Sequence, residues 1–176
     1  MTNKPRLSTV WLGGCSGCHM SFLDLDERLI ELAGRVEFRS TPLTDFKDFL
    51  ETDITLVEGA VANQEHLEQI RKIRQRTKIL VSMGDCAVTG NVTALRNMYG
   101  IEEVLNRAYR ETATVIVGVP VGNCVVPRLL ARVRPVHEVV PVDYFIPGCP
   151  PSADTIYDCL VALLEGRQPV LEGRFG

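Results

Sequence analysis

The sequence predicts an α/β protein built on a doubly wound parallel sheet. Short apolar runs that are typical of buried strands alternate with segments of helical periodicity. This alternation places successive strands side by side in a parallel sheet with helices on both faces. A chain of 176 residues has the length of one domain with a sizeable core. No linker or internal repeat divides it, so we expect residues 1–176 to form a single domain.

The first half of the chain predicts three strands and two helices. Residues 7–11 form the first strand. Residues 22–33 carry apolar side chains at helical spacing and end at Gly34, a common helix terminator. The remaining elements expected in this half are strands at 36–39 and 54–58 and a polar-faced helix at 64–76.

The second half continues the alternation with a buried strand at 79–83, which Gly84 ends. The final helix, 152–166, starts at the N-cap residue Ser152 and has an apolar stripe that contains Cys159. The architecture resembles flavodoxin, whose binding edge lies at the carboxyl ends of the strands. Between these two elements we expect a helix at 91–98 capped by Asn91, a strand at 114–119, a helix at 126–133 and a strand at 142–146.

Four cysteines directly follow predicted strands. Cys15 and Cys18 form a Cys-Ser-Gly-Cys turn after the first strand, Cys86 follows the buried strand, and Cys149 follows the last strand. Loops that leave the carboxyl ends of parallel strands gather at one edge of the sheet. We therefore expect the four thiolates to meet at that edge, where they would form the ligand set of a [4Fe–4S] cluster.

Two other chemistries are compatible with a CxxC turn. It also occurs in thioredoxin-like redox dithiols and as half of a zinc site. A redox dithiol does not need Cys86 and Cys149 at the same edge, and structural zinc usually takes a second close pair, which the sequence lacks. The Cys149-Pro150 dipeptide also matches the ending of ferredoxin cluster motifs.

The other cysteines and two polar residues have less definite roles. Cys159 is expected in the core, and Cys124 lies in a loop that can end near the same edge but is not needed for a four-ligand set. His19 either faces a partner, donates a hydrogen bond to cluster sulfur or is solvated. Glu58 ends the third strand, where its carboxylate can accept hydrogen bonds from the CxxC loop, relay protons or serve only the structure.

The composition excludes several classes of function. With 45% apolar and 23% charged residues the chain is typical of globular proteins, and its net charge of −3 gives no general attraction to nucleic acid or acidic membranes. No apolar run approaches the roughly 20 residues of a membrane span, and residues 1–6 show neither a signal core nor a twin-arginine pair. We therefore expect a cytoplasmic protein whose cysteines are ligands or core residues rather than disulfides.

Three motifs together resemble the small, electron-transferring subunit of [NiFe] hydrogenases: Cys15-Ser-Gly-Cys18, Gly84-Asp-Cys86-Ala and Pro147-Gly-Cys149-Pro-Pro. The likeness covers about residues 5–165 and favours the cytoplasmic NAD-reducing type. It implies that the four cysteines hold one [4Fe–4S] cluster next to a nickel–iron centre in a separate large subunit. It also implies that electrons continue to diaphorase subunits, which contain flavin and iron–sulfur clusters and reduce NAD⁺.

The departures from this family are informative. Periplasmic and membrane-bound members have a twin-arginine leader and a C-terminal extension with two more clusters, and the sequence shows neither. Related NADH dehydrogenase subunits have adjacent cysteines in the first loop, so the CxxC spacing favours a hydrogenase. The family often has an acidic residue where this chain has His19, so a proton-path role is not transferred to that position.

Two rival functions and one interface complete the expectations. A flavin-binding electron carrier would need a phosphate cradle, and cysteines occupy the first loop, so FMN is possible but unsupported; a zinc-bound interaction module is the third candidate. In the hydrogenase interpretation a partner subunit covers the cysteine edge. That interface is expected to include Gly13, Gly14, Asp85, Gly148 and His19, with Glu58 as a further candidate.

Overall fold

A parallel sheet of five strands forms the centre of the protein. The computed structural model describes residues 4–44, 48–112, 114, 118–120 and 125–171. Its strands are β1 (Arg6–Trp11), β2 (Glu37–Phe38), β3 (Thr52–Glu58), β4 (Val61–Asn63), β5 (Thr77–Met83), β6 (Leu129–Arg134) and β7 (Tyr144–Ile146). The main sheet has the order β2-β1-β3-β5-β7, and each neighbouring pair is parallel. Counted within this sheet the order is 2-1-3-4-5, the flavodoxin-like order, which confirms the predicted fold class.

Helices cover both faces of this sheet. The α-helices of the described residues are α1 (Gly17–Leu23), α2 (Glu27–Arg35), α3 (Gln64–Gln75), α4 (Asp85–Thr89), α5 (Asn91–Ala94), α6 (Ile101–Tyr109) and α7 (Ala153–Leu164). Leu56 of β3 belongs to the core cluster on the face of α7, whereas the next residue, Val57, belongs to the cluster on the face of α3. Because both faces are buried, these strands are apolar along their whole length.

Most predicted elements lie within two residues of their expected bounds. α3 begins after Asn63, whose Oδ1 accepts from the His66 amide at 2.8 Å. α7 begins after the predicted N-cap Ser152, whose Oγ accepts from the Thr155 amide at 3.2 Å. Cys159 is fully buried on α7, as expected, and burial raises the pKa of its thiol to about 12. None of the helices in the described segments is long and apolar enough to cross a membrane.

The single helix expected at 22–33 is wrong: the chain forms α1 and α2 with a break between them. Asp26, in the break, has a φ of 49°, which is outside the helical region. The apolar spacing continues across the break, so periodicity alone could not locate it. α1 also starts five residues earlier than predicted, because a tertiary contact described below satisfies the first amides.

The helix expected at 126–133 is also wrong, since this region contains β6. β6 pairs antiparallel with β4, a strand that the sequence did not predict. Side chains of the preceding segment stabilise this pair: Asn97 both accepts from the Val133 amide at 2.7 Å and donates to its carbonyl at 2.9 Å. Such a partner is distant in sequence, and local periodicity cannot indicate it.

The connecting segments differ in detail from expectation. The helix expected at 91–98 consists of α5 followed by a 3₁₀ turn, Leu95–Met98. The helices α4 and α6 were not predicted. Most of the strand expected at 114–119 lies outside the described residues, as does Cys124.

Candidate metal centre

The loops that carry the four predicted ligands all lie at the carboxyl edge of the main sheet. Cys15 and Cys18 follow β1, Cys86 follows β5, and Cys149 follows β7. Only β3 separates β1 from β5, and β7 is the neighbour of β5. The parallel order therefore brings three loops, distant in sequence, to one edge, as the sequence predicted.

Direct contacts link these loops. A Cβ atom at Gly84 would lie 2.2 Å from Cys18 Sγ, so this sulfur packs against the backbone that leads to Cys86. Gly84 also has a φ of +82°, a conformation that favours glycine. The Asp85 amide donates to the Gly148 carbonyl at 2.8 Å, and the Gly148 amide donates to Asp85 Oδ1 at 2.7 Å. The Cys86 and Cys149 loops are thus fixed to each other.

The four cysteines differ in exposure. Cys18 is buried, Cys86 is half-buried, and Cys15 and Cys149 are exposed. The pKa of the Cys18 thiol is raised well above its ordinary value, first by burial and then by the nearby charges of Glu58 and the other three cysteines. A free Cys18 would therefore keep its proton, and metal binding at this position has to release it.

Two of the sulfur atoms accept hydrogen bonds. The Gly17 amide donates to Cys15 Sγ at 3.4 Å, and the Asn91 side-chain amide donates to Cys149 Sγ at 3.4 Å. Hydrogen bonds of this kind stabilise thiolates and tune metal centres. Asn91 was predicted as a helix cap, which is wrong: Gly90 is the N-cap of α5, and the Asn91 side chain contacts the sulfur.

Glu58 supports the first cysteine loop from inside the protein. Its carboxylate is 1% exposed and accepts from the Cys18 amide at 3.3 Å and from the His19 amide at 3.0 Å. These are amides of the first turn of α1, which have no partner within the helix. The expectation that Glu58 accepts hydrogen bonds from the CxxC loop is confirmed.

His19 is buried, not solvated and not available to a partner. Its side chain is 3% exposed; Nδ1 contacts Glu58 Oε2, and Nε2 lies 3.0 Å from Thr9 Oγ1. Both ring nitrogens are thereby occupied, which contradicts all three roles expected for His19. The burial of His19, Glu58 and Gly148 also corrects their expected place in a partner interface.

The surface around the cysteines is partly apolar. Exposed large side chains stand on elements that carry or contact the cysteine loops: Trp11, Met20, Val92, Leu95 and Met98. The Thr93 hydroxyl of α5 donates to the Gly13 carbonyl at 3.0 Å, which joins α5 to the first loop. Exposed apolar side chains next to a functional site are typical of protein interfaces.

The described residues do not form a site for a single ion. Among them, no group of three or more His, Cys, Asp or Glu side chains converges closely enough to hold one metal ion. The five described cysteines are free. The site therefore offers four separated thiols on three linked loops.

Comparison with known proteins assigns the chain to a family. Residues 15–163 match the family described as NADH ubiquinone oxidoreductase, 20 Kd subunit, and this stretch contains all four cysteines. The chain belongs to this family. It is 43% identical over 168 residues to the delta subunit of the NAD-reducing hydrogenase HoxS of Cupriavidus necator, covering 93% of this chain and 80% of that one.

Other family members and solved structures agree. The F420-non-reducing hydrogenase of Methanothermobacter marburgensis has a subunit that is 37% identical over 96% of this chain, which spans only 56% of that protein. A crystal structure of an NAD⁺-reducing [NiFe]-hydrogenase in the H2-reduced state contains a chain that is 44% identical, with a TM-score of 0.93 and coverage of 97% and 96%. A [NiFeSe]-hydrogenase of Dm. baculatum at 18% identity and a TM-score of 0.62 shares the fold.

These findings confirm the resemblance to hydrogenase small subunits. The family takes its description from a respiratory NADH dehydrogenase, whereas the relatives just described are subunits of hydrogenases. Within this family the CxxC spacing favoured a hydrogenase, and the identity of 43% to an NAD-reducing hydrogenase agrees with that prediction.

Proposed function

We propose that this chain is the electron-transfer small subunit of an NAD-reducing [NiFe] hydrogenase and that Cys15, Cys18, Cys86 and Cys149 hold one [4Fe–4S] cluster. One observation carries the proposal: four free cysteines lie on three linked loops at the carboxyl edge of the sheet, in a relative of an NAD-reducing hydrogenase subunit. When bound, the cluster supplies a one-electron carrier.

The residues fit a cluster better than a zinc ion. Structural zinc needs four ligand atoms around one ion at about 2.3 Å for sulfur, and the described side chains show no such convergence. In a cubane each thiolate binds a different iron, so its four sulfur ligands stand further apart. The amide donors to Cys15 and Cys149 and the glycine beside Cys18 also suit a cluster held close to the backbone.

The chain's own residues hold the site between protein interior and surface. Cys18 is on the buried side and Cys15 and Cys149 on the exposed side. A single electron carrier needs a donor and an acceptor outside itself. We therefore propose two partners: a large subunit with the nickel–iron centre, and diaphorase subunits with flavin and iron–sulfur clusters, so that hydrogen oxidation is coupled to NAD⁺ reduction.

The cysteine edge is the proposed contact with the large subunit. Trp11, Met20 and Val92 expose apolar surface there, and Gly13 and Gly14 lie in the half-buried turn after β1. A permanent contact of this kind buries more than about 2,000 Å². We also propose a cytoplasmic location with no nucleic-acid partner, in line with the free cysteines and the net charge of −3.

Metal analysis of the anaerobically purified chain tests the cluster. We expect about four irons and four acid-labile sulfides per chain. Serine replacement of each predicted ligand should remove or convert the cluster, while Cys159→Ser, the matched control in the core, should leave the iron content unchanged. Stoichiometric zinc without sulfide, or bound FMN without iron, would support one of the rival functions instead.

Co-expression tests the partners. We expect a nickel-binding large subunit to copurify with this chain and to give hydrogen-dependent dye reduction. The chain alone should be poorly soluble or lose iron in air, because its apolar edge is uncovered. A stable, cluster-loaded monomer that binds no metal-containing subunit contradicts the proposal.

A further inference from the structure

We propose that Glu58 is a positioning residue for the Cys15–Cys18 loop, and that its fixed negative charge keeps the reduction potential of the four-cysteine site low. This inference rests on the proposed function, because it concerns the cluster that these cysteines would hold. It adds to that function a residue that is not a ligand and that sets when the site accepts an electron.

The contacts of Glu58 support the positioning role. Its two carboxylate oxygens accept from consecutive amides, Cys18 at 3.3 Å and His19 at 3.0 Å. These amides belong to the turn whose side chains include the buried ligand Cys18. A displaced carboxylate would leave buried amides without a partner, which costs about 1–3 kcal/mol per group, so the loop and the carboxylate are held in one arrangement.

The surroundings of Glu58 support the electrostatic role. Among the described residues, the ion pairs that involve Lys or Arg all lie elsewhere, and Glu58 contacts only the His19 ring. A neutral ring satisfies both of its contacts: Nδ1–H donates to Glu58, and Nε2 accepts from the Thr9 hydroxyl at 3.0 Å. The carboxylate thus keeps its charge in a site that is 1% exposed.

A buried charge acts on its neighbours with little solvent screening. One-electron reduction adds a negative charge to the four-cysteine site, next to the anionic Glu58. That repulsion disfavours the reduced state and lowers the potential. Burial, charge and hydrogen bonding near the ligands are the means by which proteins set cluster potentials.

Glu58→Gln tests this role in the full chain loaded anaerobically with iron and sulfide. Gln has the same shape and can accept from the backbone amides, and its NH₂ group can donate to Nδ1 if the ring changes tautomer. We expect iron content to stay at the wild-type level and the potential to rise. The expected change is at least about tenfold in the reduction equilibrium, which is 59 mV for a one-electron couple.

Thr9→Val is the matched control. It removes the hydroxyl that orients His19 but keeps both the shape and the Glu58 charge, so the reduction equilibrium should change by less than about twofold. Potentials are measured by titration with dithionite, followed by electron paramagnetic resonance. A loaded Glu58→Gln chain with the wild-type potential, or an equal shift in Thr9→Val, overturns the inference.

Glu58→Asp decides the result if Glu58→Gln holds no iron. Asp keeps the charge, so a loaded Asp variant with the wild-type potential supports the inference, and a shifted potential contradicts it. If neither variant holds iron, Glu58 is only structural and the electrostatic role is overturned. A wild-type chain that takes up no iron and sulfide contradicts the proposed function itself, and this inference with it.

Discussion

The two ends of β3 each carry a carboxylate, and the protein uses them differently. At the carboxyl end Glu58 is buried, binds two backbone amides of the cysteine loop and has a histidine as its side-chain partner. At the amino end Asp53 is partly exposed and binds two cations, Arg6 at 3.0 Å and Lys78 at 2.7 Å. One carboxylate fixes a site, and the other fixes the starts of three strands.

The physical chemistry of the two ends explains this division. Hydrogen bonding by Arg6 is the main reason that the pKa of the Asp53 carboxyl is held well below its ordinary value, with Lys78 adding to the effect. Asp53 is therefore neutralised locally and contributes to stability. Glu58 has no cation of this type among the described residues, so its charge remains available to act on the neighbouring cysteines. The difference teaches that charge compensation separates a structural carboxylate from a functional one.

The largest effect is expected from Gly84→Ala at the carboxyl edge. The new Cβ would lie 2.2 Å from Cys18 Sγ on a backbone with a φ of +82°, so Cys18 has to move. We expect the loss of most iron and sulfide binding, measured by metal analysis. Gly34→Ala is the control, because a Cβ there meets nothing within 4 Å; it should retain all iron. Full iron content in Gly84→Ala would falsify the packing described for this edge.

Ser21→Ala separates the stability of the cysteine edge from its metal binding. The buried Ser21 hydroxyl donates to the Pro151 carbonyl at 2.6 Å and so links α1 to the Cys149 loop. Its loss should lower the free energy of unfolding by about 1–3 kcal/mol, measured by guanidinium denaturation, with unchanged iron content. Thr89→Ala, which removes an exposed hydroxyl on α4, should cost less than about 0.5 kcal/mol. Equal costs for both variants would contradict this link.

Asp53→Asn tests the amino end. We expect a loss of about 1 kcal/mol at pH 7, or roughly 2–4 °C in Tm for a chain of this size, with unchanged iron content. The pKa of Asp53 is lower in the folded than in the unfolded chain, so its contribution is complete above the ordinary carboxyl pKa of about 3.9. It is lost as pH falls through the lower folded value. A stability difference that grows below pH 4 would contradict this sign.

Lys78→Ala should have the smallest effect. Its ammonium group pairs with Asp53 but the side chain is 73% exposed, so solvent screens the pair and the expected cost is below about 0.5 kcal/mol. The measurement is the same denaturation experiment. A cost equal to that of Asp53→Asn would mean that Lys78, rather than Arg6, is the main partner of Asp53.

The cysteines were predictable because their spacing relative to strands is a local property. Strands β1, β5 and β7 are apolar runs that end at Trp11, Met83 and Ile146, and the cysteines follow them. Parallel topology then places the loops at one edge. The contact between Glu58 and the CxxC loop was one of several predicted alternatives, since the end of β3 lies between the same loops.

Other features of the site depend on partners that are distant in sequence. Nothing in the sequence around His19 indicates burial, because its two contacts, Glu58 and Thr9, lie on two different strands. The start of α1 is likewise set by Glu58, which satisfies its first amides in place of a local cap. Asn91 was missed as a sulfur donor because Cys149 is 58 residues away.

The sequence by itself determined the alternation of strands and helices, the flavodoxin-like order and the four thiols at the carboxyl edge, because strand ends and apolar periodicity are local. Only the tertiary structure decided which polar groups support that edge. It also decided the break at Asp26 and the pairing of β6 with β4. The physical reason is that buried polar groups must be hydrogen-bonded, and the partner that satisfies each one is chosen by proximity in space, not along the chain.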